Sequence, residues 1–299
     1  MRLWRSDSAH LGSTGELPPS VWRPQVSGTP KPLTAAIWNG KQCVVAGFTG
    51  AGGVVLTSKD LTTWEITGAN IDIAPTAIAW DGKKFVGVGH LGRTMISQDG
   101  RNWKIAATRK QSALSSIIWT GAQFLAGGED GWMIASDDGM SWRSVGFVPI
   151  NIGEIAFVNG TLIVVNGQLQ TSSDGKTWIT RKIASDWKAM LYLNSIAWSG
   201  REFVAVGRDG IIVVSNNGSE WSKCDFECET TLNRIVWVGG RFVAVGDRGA
   251  IISSKNGATW EQEQSDTKED LRAIVRAGNR LVCVGNSGTI LATESGSGV

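Results

Sequence analysis

Apolar and polar residues alternate along this chain in short runs, and the runs recur at a fixed spacing. The clearest stretch reads SIAW (Ser195–Trp198), FVAVG (Phe203–Gly207) and IIVVS (Ile211–Ser215), followed by a segment opened by Trp221. Alternation over four or five residues, rich in Val and Ile, predicts half-buried β-strands. Ser-Gly-Arg, Arg-Asp-Gly and Asn-Asn-Gly separate the runs. Asn-Gly and Asp-Gly accept the positive φ of tight hairpin turns, so the unit reads as four hairpin-linked antiparallel strands. One string marks each copy, Ser followed by Asp or Asn and then Trp: SKDLTTW (Ser58–Trp64), SQDGRNW (Ser97–Trp103), SDDGMSW (Ser136–Trp142), SSDGKTW (Ser172–Trp178), SNNGSEW (Ser215–Trp221) and SKNGATW (Ser254–Trp260). Successive Trp residues lie 39, 39, 36, 43 and 39 positions apart. A four-stranded unit repeated about every 40 residues is a propeller blade.

The first strand of the unit recurs seven times, ending at Trp38, Trp80, Trp119, Phe157, Trp198, Trp237 and Arg276. The seventh copy runs on through LVCVG (Leu281–Gly285) but stops before a fourth strand. That strand is found at the other end of the chain, in SVWRPQV (Ser20–Val26), where Trp22 stands in the position of the repeat Trp. The expected fold is therefore all-β: a seven-bladed β-propeller of four-stranded antiparallel blades, closed by the N-terminal strand completing the last blade. Closure removes the exposed sheet edges of an open array. Residues 1–19 form an N-terminal arm, and residues 20–299 form the ring. Twelve of the fifteen Trp belong to the repeat as packing residues; Trp4, Trp132 and Trp187 do not.

Composition narrows the picture. Gly is abundant (38), as short strands and tight turns require, whereas Tyr (1) and His (2) are scarce. A net charge of +2 gives no reason to expect a nucleic-acid or membrane partner. The N-terminus has no apolar core of a signal peptide, and no stretch is long enough to cross a bilayer, so the expected setting is a virion or the cytoplasm. Cys43 and Cys283 occupy core positions of the repeat, where Phe85 and Ala205 stand in other copies. Cys224 and Cys228 lack the further ligands a metal site needs, so no metal or other cofactor is expected.

The Ser–x–Asp/Asn–Gly–x–x–Trp string resembles the Asp-box, or BNR, repeat of sialidase-like propellers. The surrounding frame, AW followed by FVAVG and a Gly-containing turn, is still more similar to the photosystem II assembly-factor type of BNR propeller and to related bacterial and phage proteins. The resemblance covers residues 20–299. One departure is that Asp and Gly are adjacent here, where the usual box inserts a residue between them. The dipeptides of WD40 repeats do not recur. The resemblance implies that Asp60, Asp99, Asp138, Asp174, Asn217 and Asn256 accept hydrogen bonds from turn amides between the third and fourth strands. Interchange of Asp and Asn fits an acceptor and not a catalytic acid.

A sialidase-type glycosidase would need an arginine triad, a Tyr nucleophile and carboxylic acids. Tyr192 is the only tyrosine, and the arginines form no evident triad. The expectation is a non-catalytic scaffold or binding module for protein subunits, with a glycan as a further possible ligand. Candidate rim residues on the turns between second and third strands are His90, Arg93, Arg208, Asp209, Asp247 and Arg248; their mixed charges equally suit a solvated edge. The longest link between blades carries Trp187, Met190, Leu191 and Tyr192, which either form a contact patch or tuck over a neighbouring blade. The arm, with Trp4 and Arg5, is a candidate docking segment. A structural part of a phage virion, such as a tail component, is the expected setting. The alternatives are a bacterial assembly or stability factor of the photosystem II type and a sialidase-like hydrolase.

Overall fold

The computed structural model describes residues 21–50, 52–184 and 192–294. The arm, including Trp4 and Arg5, lies outside the described residues, as do Trp187, Met190 and Leu191. Seven sheets follow one another in chain order, beginning at Leu33, Pro75, Leu114, Glu154, Leu193, Leu232 and Leu271; we number them blades 1 to 7. In each blade the chain runs outward through antiparallel neighbours. First strands of successive blades lie side by side, and that of blade 7 meets that of blade 1. The ring is thus closed, as the seven first-strand copies predict.

Closure is made by the expected segment. Trp22–Gln25 pairs antiparallel with Ile290–Thr293, with Trp22 opposite Thr293 and Gln25 opposite Ile290. Blade 7 is therefore built from both ends of the chain.

Hydrophobic clusters lie between blades, each joining two adjacent sheets. The repeat aromatics explain how. Trp at the end of the first strand pairs with Phe at the start of the second, as in Trp119 opposite Phe124 and Trp237 opposite Phe242. Their ring centroids are 4.8 and 4.6 Å apart. The box Trp joins them, and the trio faces the preceding blade: Trp119, Phe124 and Trp142 pack with Ala79 and Val86 of blade 2. Tilted aromatic pairs of this kind add to the stabilisation from area burial.

Blade 4 departs from the pattern. Its outer strand is only Ile179–Thr180. The chain then leaves the blade, and Ile183–Ala184 pairs parallel with Trp221–Lys223 of blade 5, giving that blade a fifth strand.

Each box string folds as a turn stapled by two side chains. In blade 3, Ser136 Oγ accepts the Gly139 amide at 2.8 Å and donates to Asp138 Oδ1 at 2.9 Å. Asp138 Oδ1 also accepts the amides of Met140 and Ser141, both at 2.7 Å. In blades 5 and 6 the amide oxygens of Asn217 and Asn256 accept the same pair of N–H groups at 2.8–3.0 Å. The interchange of Asp and Asn follows, because only an acceptor oxygen is needed. Amides of Thr177 and Lys176, with the Ser172 hydroxyl, hold the Asp174 carboxyl down at about 2. The box side chains are thereby occupied in building the turn.

Candidate ligand-facing surface

The face opposite the boxes carries the links between blades and the turns between second and third strands. Blades 2, 3, 5, 6 and 7 use the same turn there, a single 3-10 turn. Its central residue adopts positive φ: Leu91, Asp130, Asp209, Arg248 and Ser287, at 52–58°. Glycine follows in every case, and the reason is close approach. A Cβ on Gly210 would lie 1.6 Å from the Cys228 carbonyl oxygen, and one on Gly288 would lie 1.8 Å from that of Thr29. Each turn is thus clamped onto the link beneath it, which gives the rim a rigid base.

The rim side chains sit on one face but do not converge on one point. His90 packs edge-on against Phe48 with centroids 4.8 Å apart. Arg93 forms an ion pair with Asp72. On blade 5 the Arg208 guanidinium lies over the exposed Tyr192 ring, 4.7 Å from its centroid, and the Arg208 amide donates to the Tyr192 carbonyl at 2.9 Å. Tyr192 therefore stands at the rim beside Arg208, where the sequence grouped it with the link. Asp209 is exposed at the tip of the same turn. On blade 6, Arg248 donates to Thr230 Oγ1 at 3.1 Å and its amide donates to Asp270 Oδ1 at 2.9 Å. Asp247 accepts from Asn233 Nδ2 at 2.8 Å and pairs with Arg272 at 3.5 Å. Blades 5 and 6 thus bring Tyr192, Arg208, Asp209, Asp247 and Arg248 onto adjacent turns. His90 and Arg93 stand apart on blade 2.

Two rings of polar residues nearer the axis were not among the candidates. At the second position of the first strands, Thr34, Thr76, Asn194 and Asn233 each donate to a main-chain carbonyl of the next blade, at 2.6–2.9 Å. At the next position, where blade 4's shorter first strand begins, Ser116 Oγ, Glu154 Oε2 and Ser195 Oγ accept amides of Ile155, Ile196 and Ile235 in the following blades, at 3.0–3.1 Å. Glu154 also pairs with Arg234 at 3.1 Å. Arg272 continues the second-position ring and gathers Asp247, Asp270 and Asn286 around its guanidinium. The signal was present as a polar residue following Leu33, Leu114, Leu193, Leu232 and Leu271. These groups tie blades together and leave the Arg272 cluster as the most charged part of the inner rim.

Among the described residues, no group of three or more His, Cys, Asp and Glu is placed to hold a metal ion. Cys224 and Cys228 are free thiols, facing the carbonyls of Ala258 at 3.1 Å and Thr230 at 3.6 Å. Burial pushes the Cys43 and Cys283 thiols up, in keeping with their core positions. No helix is long and apolar enough to cross a membrane among the described residues.

The family model for the photosynthesis system II assembly factor YCF48 matches residues 148–297, half of the chain. No curated protein matches the sequence. Among solved structures, YCF48 from Cyanidioschyzon merolae superposes with a TM-score of 0.75 at 15% identity, covering 92% of this chain and 99% of that one. YCF48 bound to D1 peptide gives 0.75 at 13% identity, covering 96% and 99%. The WD40 repeats of RRP9 give 0.74 at 8% identity, covering 93% and 99%. At these identities the superpositions establish the ring; the sequence match distinguishes this repeat from WD40.

Proposed function

Because the chain belongs to the photosystem II assembly factor YCF48 family, we propose that it is a non-catalytic propeller that binds a segment of a client protein during assembly of a larger complex. The observation that carries this reading is the family match, which spans blades 4 to 7 and so includes the adjacent rims of blades 5 and 6. A family relative has been seen with D1 peptide, which supports a peptide as the class of ligand. We assign the contact to the turn-and-link face. Tyr192 and Arg208 offer an exposed aromatic ring and a stacked cation, a pair suited to anchoring a peptide. Trp187, Met190 and Leu191 precede Tyr192 in the same link and extend the proposed contact. The arm, residues 1–19 with Trp4 and Arg5, is proposed as a separate docking segment.

The match favours the assembly-factor setting over the virion setting, for which the sequence resemblance remains the only support. Non-catalysis is favoured because the box carboxylates are spent on turns and Tyr192 is stacked under Arg208. The test is fluorescence anisotropy with a labelled D1 peptide. Saturable binding that weakens about tenfold in Arg208→Ala and in Tyr192→Ala supports the reading, an amount reasonable for loss of one anchor. Absence of binding removes D1 as the client, and binding indifferent to both variants removes this face. Hydrolysis of a fluorogenic sialoside, lost in Tyr192→Phe, would overturn the non-catalytic assignment.

A further inference from the structure

Blade 4 carries less aromatic bulk toward its neighbour than blades 2, 3, 5 and 6. Phe157 stands where blades 2, 3, 5 and 6 have Trp, and its cross-strand partner Leu162 stands where they have Phe. The trio facing blade 3 is therefore Phe157, Leu162 and Trp178. The wall opposite has changed in both directions: Leu125 and Met133 are larger than Val86 and Thr94 at the same register of blade 2, and Ala135 is smaller than Ile96. A cavity of about 300 Å³ lies between blades 3 and 4 on the box face, walled by Leu125, Met133, Val145, Phe157 and Leu162.

The box glycines report the same slack independently. A Cβ on Gly100, Gly139 or Gly257 would meet Val44, Val86 or Val204 of the preceding blade at 2.9, 2.6 and 2.9 Å. On Gly175 of blade 4 it would meet only Leu162 of its own blade, at 3.5 Å, and on Gly218 of blade 5 its nearest neighbour would be Phe203 of its own blade, at 3.3 Å, so both interfaces of blade 4 are loose at the box. The box turn of blade 4 thus stands off from blade 3. In blade 4, Trp178 Nε1 and Gln170 Oε1 are buried without partners, as is the box Trp64 Nε1 of blade 1. The box Trp residues of blades 2, 3, 5 and 6 donate that N–H to their own box glycine carbonyl at 2.9–3.2 Å.

We propose that this cleft is a binding site for one aromatic side chain of a partner protein, which supplies the aromatic bulk that blade 4 lacks. A dry cavity of about 150 Å³ with apolar walls suffices for benzene, so this volume holds an indole with its connecting carbon. The mouth is not apolar. Gln123, Arg143, Ser173 and the box Asp174 line the cleft, and Arg143 donates to Gln123 Oε1 at 2.5 Å. Amide, guanidinium and hydroxyl groups around an apolar hole suit the main chain of a peptide carrying the ring, which a free aromatic molecule does not have. The site lies on the face opposite Tyr192 and Arg208 and does not depend on the function assigned to that face.

The test uses the full chain and the tripeptide N-acetyl-Gly-(5-fluoro-Trp)-Gly-amide, followed by fluorine NMR. The expected result is saturable binding with a Kd on the order of 1 mM, the scale of one buried ring. Phe157→Trp with Leu162→Phe restores the repeat trio and should weaken binding at least about tenfold while the melting temperature holds or rises. Should that pair fail to fold, Leu162→Phe alone serves the same reading. Tyr192→Ala and Arg208→Ala should leave the Kd unchanged, which separates this site from the rim. No binding by the native chain, or equal binding by the filled chain, overturns the site. Free 5-fluoroindole binding as tightly as the tripeptide overturns the assignment to a protein side chain.

Discussion

Replacing Trp22 with Ala tests the closure of the ring at the strand that completes blade 7. Trp22 is 2% exposed and packs with Val243, Val245 and Ile251 of blade 6 and Leu281 of blade 7. Its Nε1 donates to Glu263 Oε2 at 2.7 Å, and that carboxylate also pairs with Arg241 at 3.5 Å. Truncating a buried Trp costs about 3–5 kcal/mol. Removing the indole donor from a largely buried carboxylate adds about 1–3 kcal/mol where the group cannot reach water. The closing strand is four residues long, so the chain can limit its loss by releasing Trp22–Gln25 altogether. The cost is then capped by the docking energy of that strand and appears as local opening. Hydrogen exchange read by mass spectrometry across Ile290–Thr293, its pairing partner, is the direct assay. A loss of about 4 kcal/mol corresponds to roughly a thousandfold in the opening equilibrium. Trp22→Phe keeps most of the buried area and loses the hydrogen bond, so it should fall between the native chain and Trp22→Ala. Protection across Ile290–Thr293 within about tenfold of native in Trp22→Ala would refute the claim that this residue holds the ring shut.

Three further outcomes follow from the turns. Asp138→Asn should melt close to the native chain, since Asn217 and Asn256 perform the same role, whereas Asp138→Ala should lower Tm by about 2 °C, read by differential scanning calorimetry. Thermal stability should fall as pH drops from about 4 toward 2. Turn amides hold Asp60 and Asp99 well below the usual carboxylate range and Asp174 at about 2, while at Asp138 burial opposes the Ser141 and Met140 amides and the carboxyl still lies at about 2. The unfolded chain binds more protons in that window, so the stabilisation is complete above the unfolded pKa and is lost as pH falls through the folded one; melting curves unchanged from pH 5 to pH 2 would contradict this. Gly210→Ala should destabilise by about 2 kcal/mol or more in chemical denaturation, because the residue lies at φ +66° and its Cβ would lie 1.6 Å from the Cys228 carbonyl oxygen.

Much of this ring could be read from residues alone. Trp22, isolated from the boxes in sequence, located the closing strand because a seventh unit lacking its fourth strand has an unpaired edge to cover. The box Asp and Asn residues were legible because their interchange restricts them to accepting hydrogen bonds. The irregularities of blade 4 were less so. Phe157 and Leu162 are ordinary core substitutions in the sequence, and their consequence emerges only once cross-strand pairing and blade order put both on the face toward blade 3. Ile183–Ala184 pairs parallel with a strand that begins 37 positions later, at Trp221, and no local periodicity encodes such a partner. The polar rings near the axis were visible as recurring Thr, Ser and Asn. Their partners are main-chain groups of other blades, which side-chain patterns do not display.

The clasp also fixes an order of events during synthesis. Trp22–Gln25 is synthesised well before its pairing partner Ile290–Thr293. At ordinary elongation rates the early strand waits on the order of 10–50 s. Through that interval blades 1 to 6 can form and stack, while a buried-type Trp and two open sheet edges stay uncovered. A ring that lacks blade 7 therefore bears a hydrophobic mark of its own incompleteness, which Ile290–Thr293 erases on pairing.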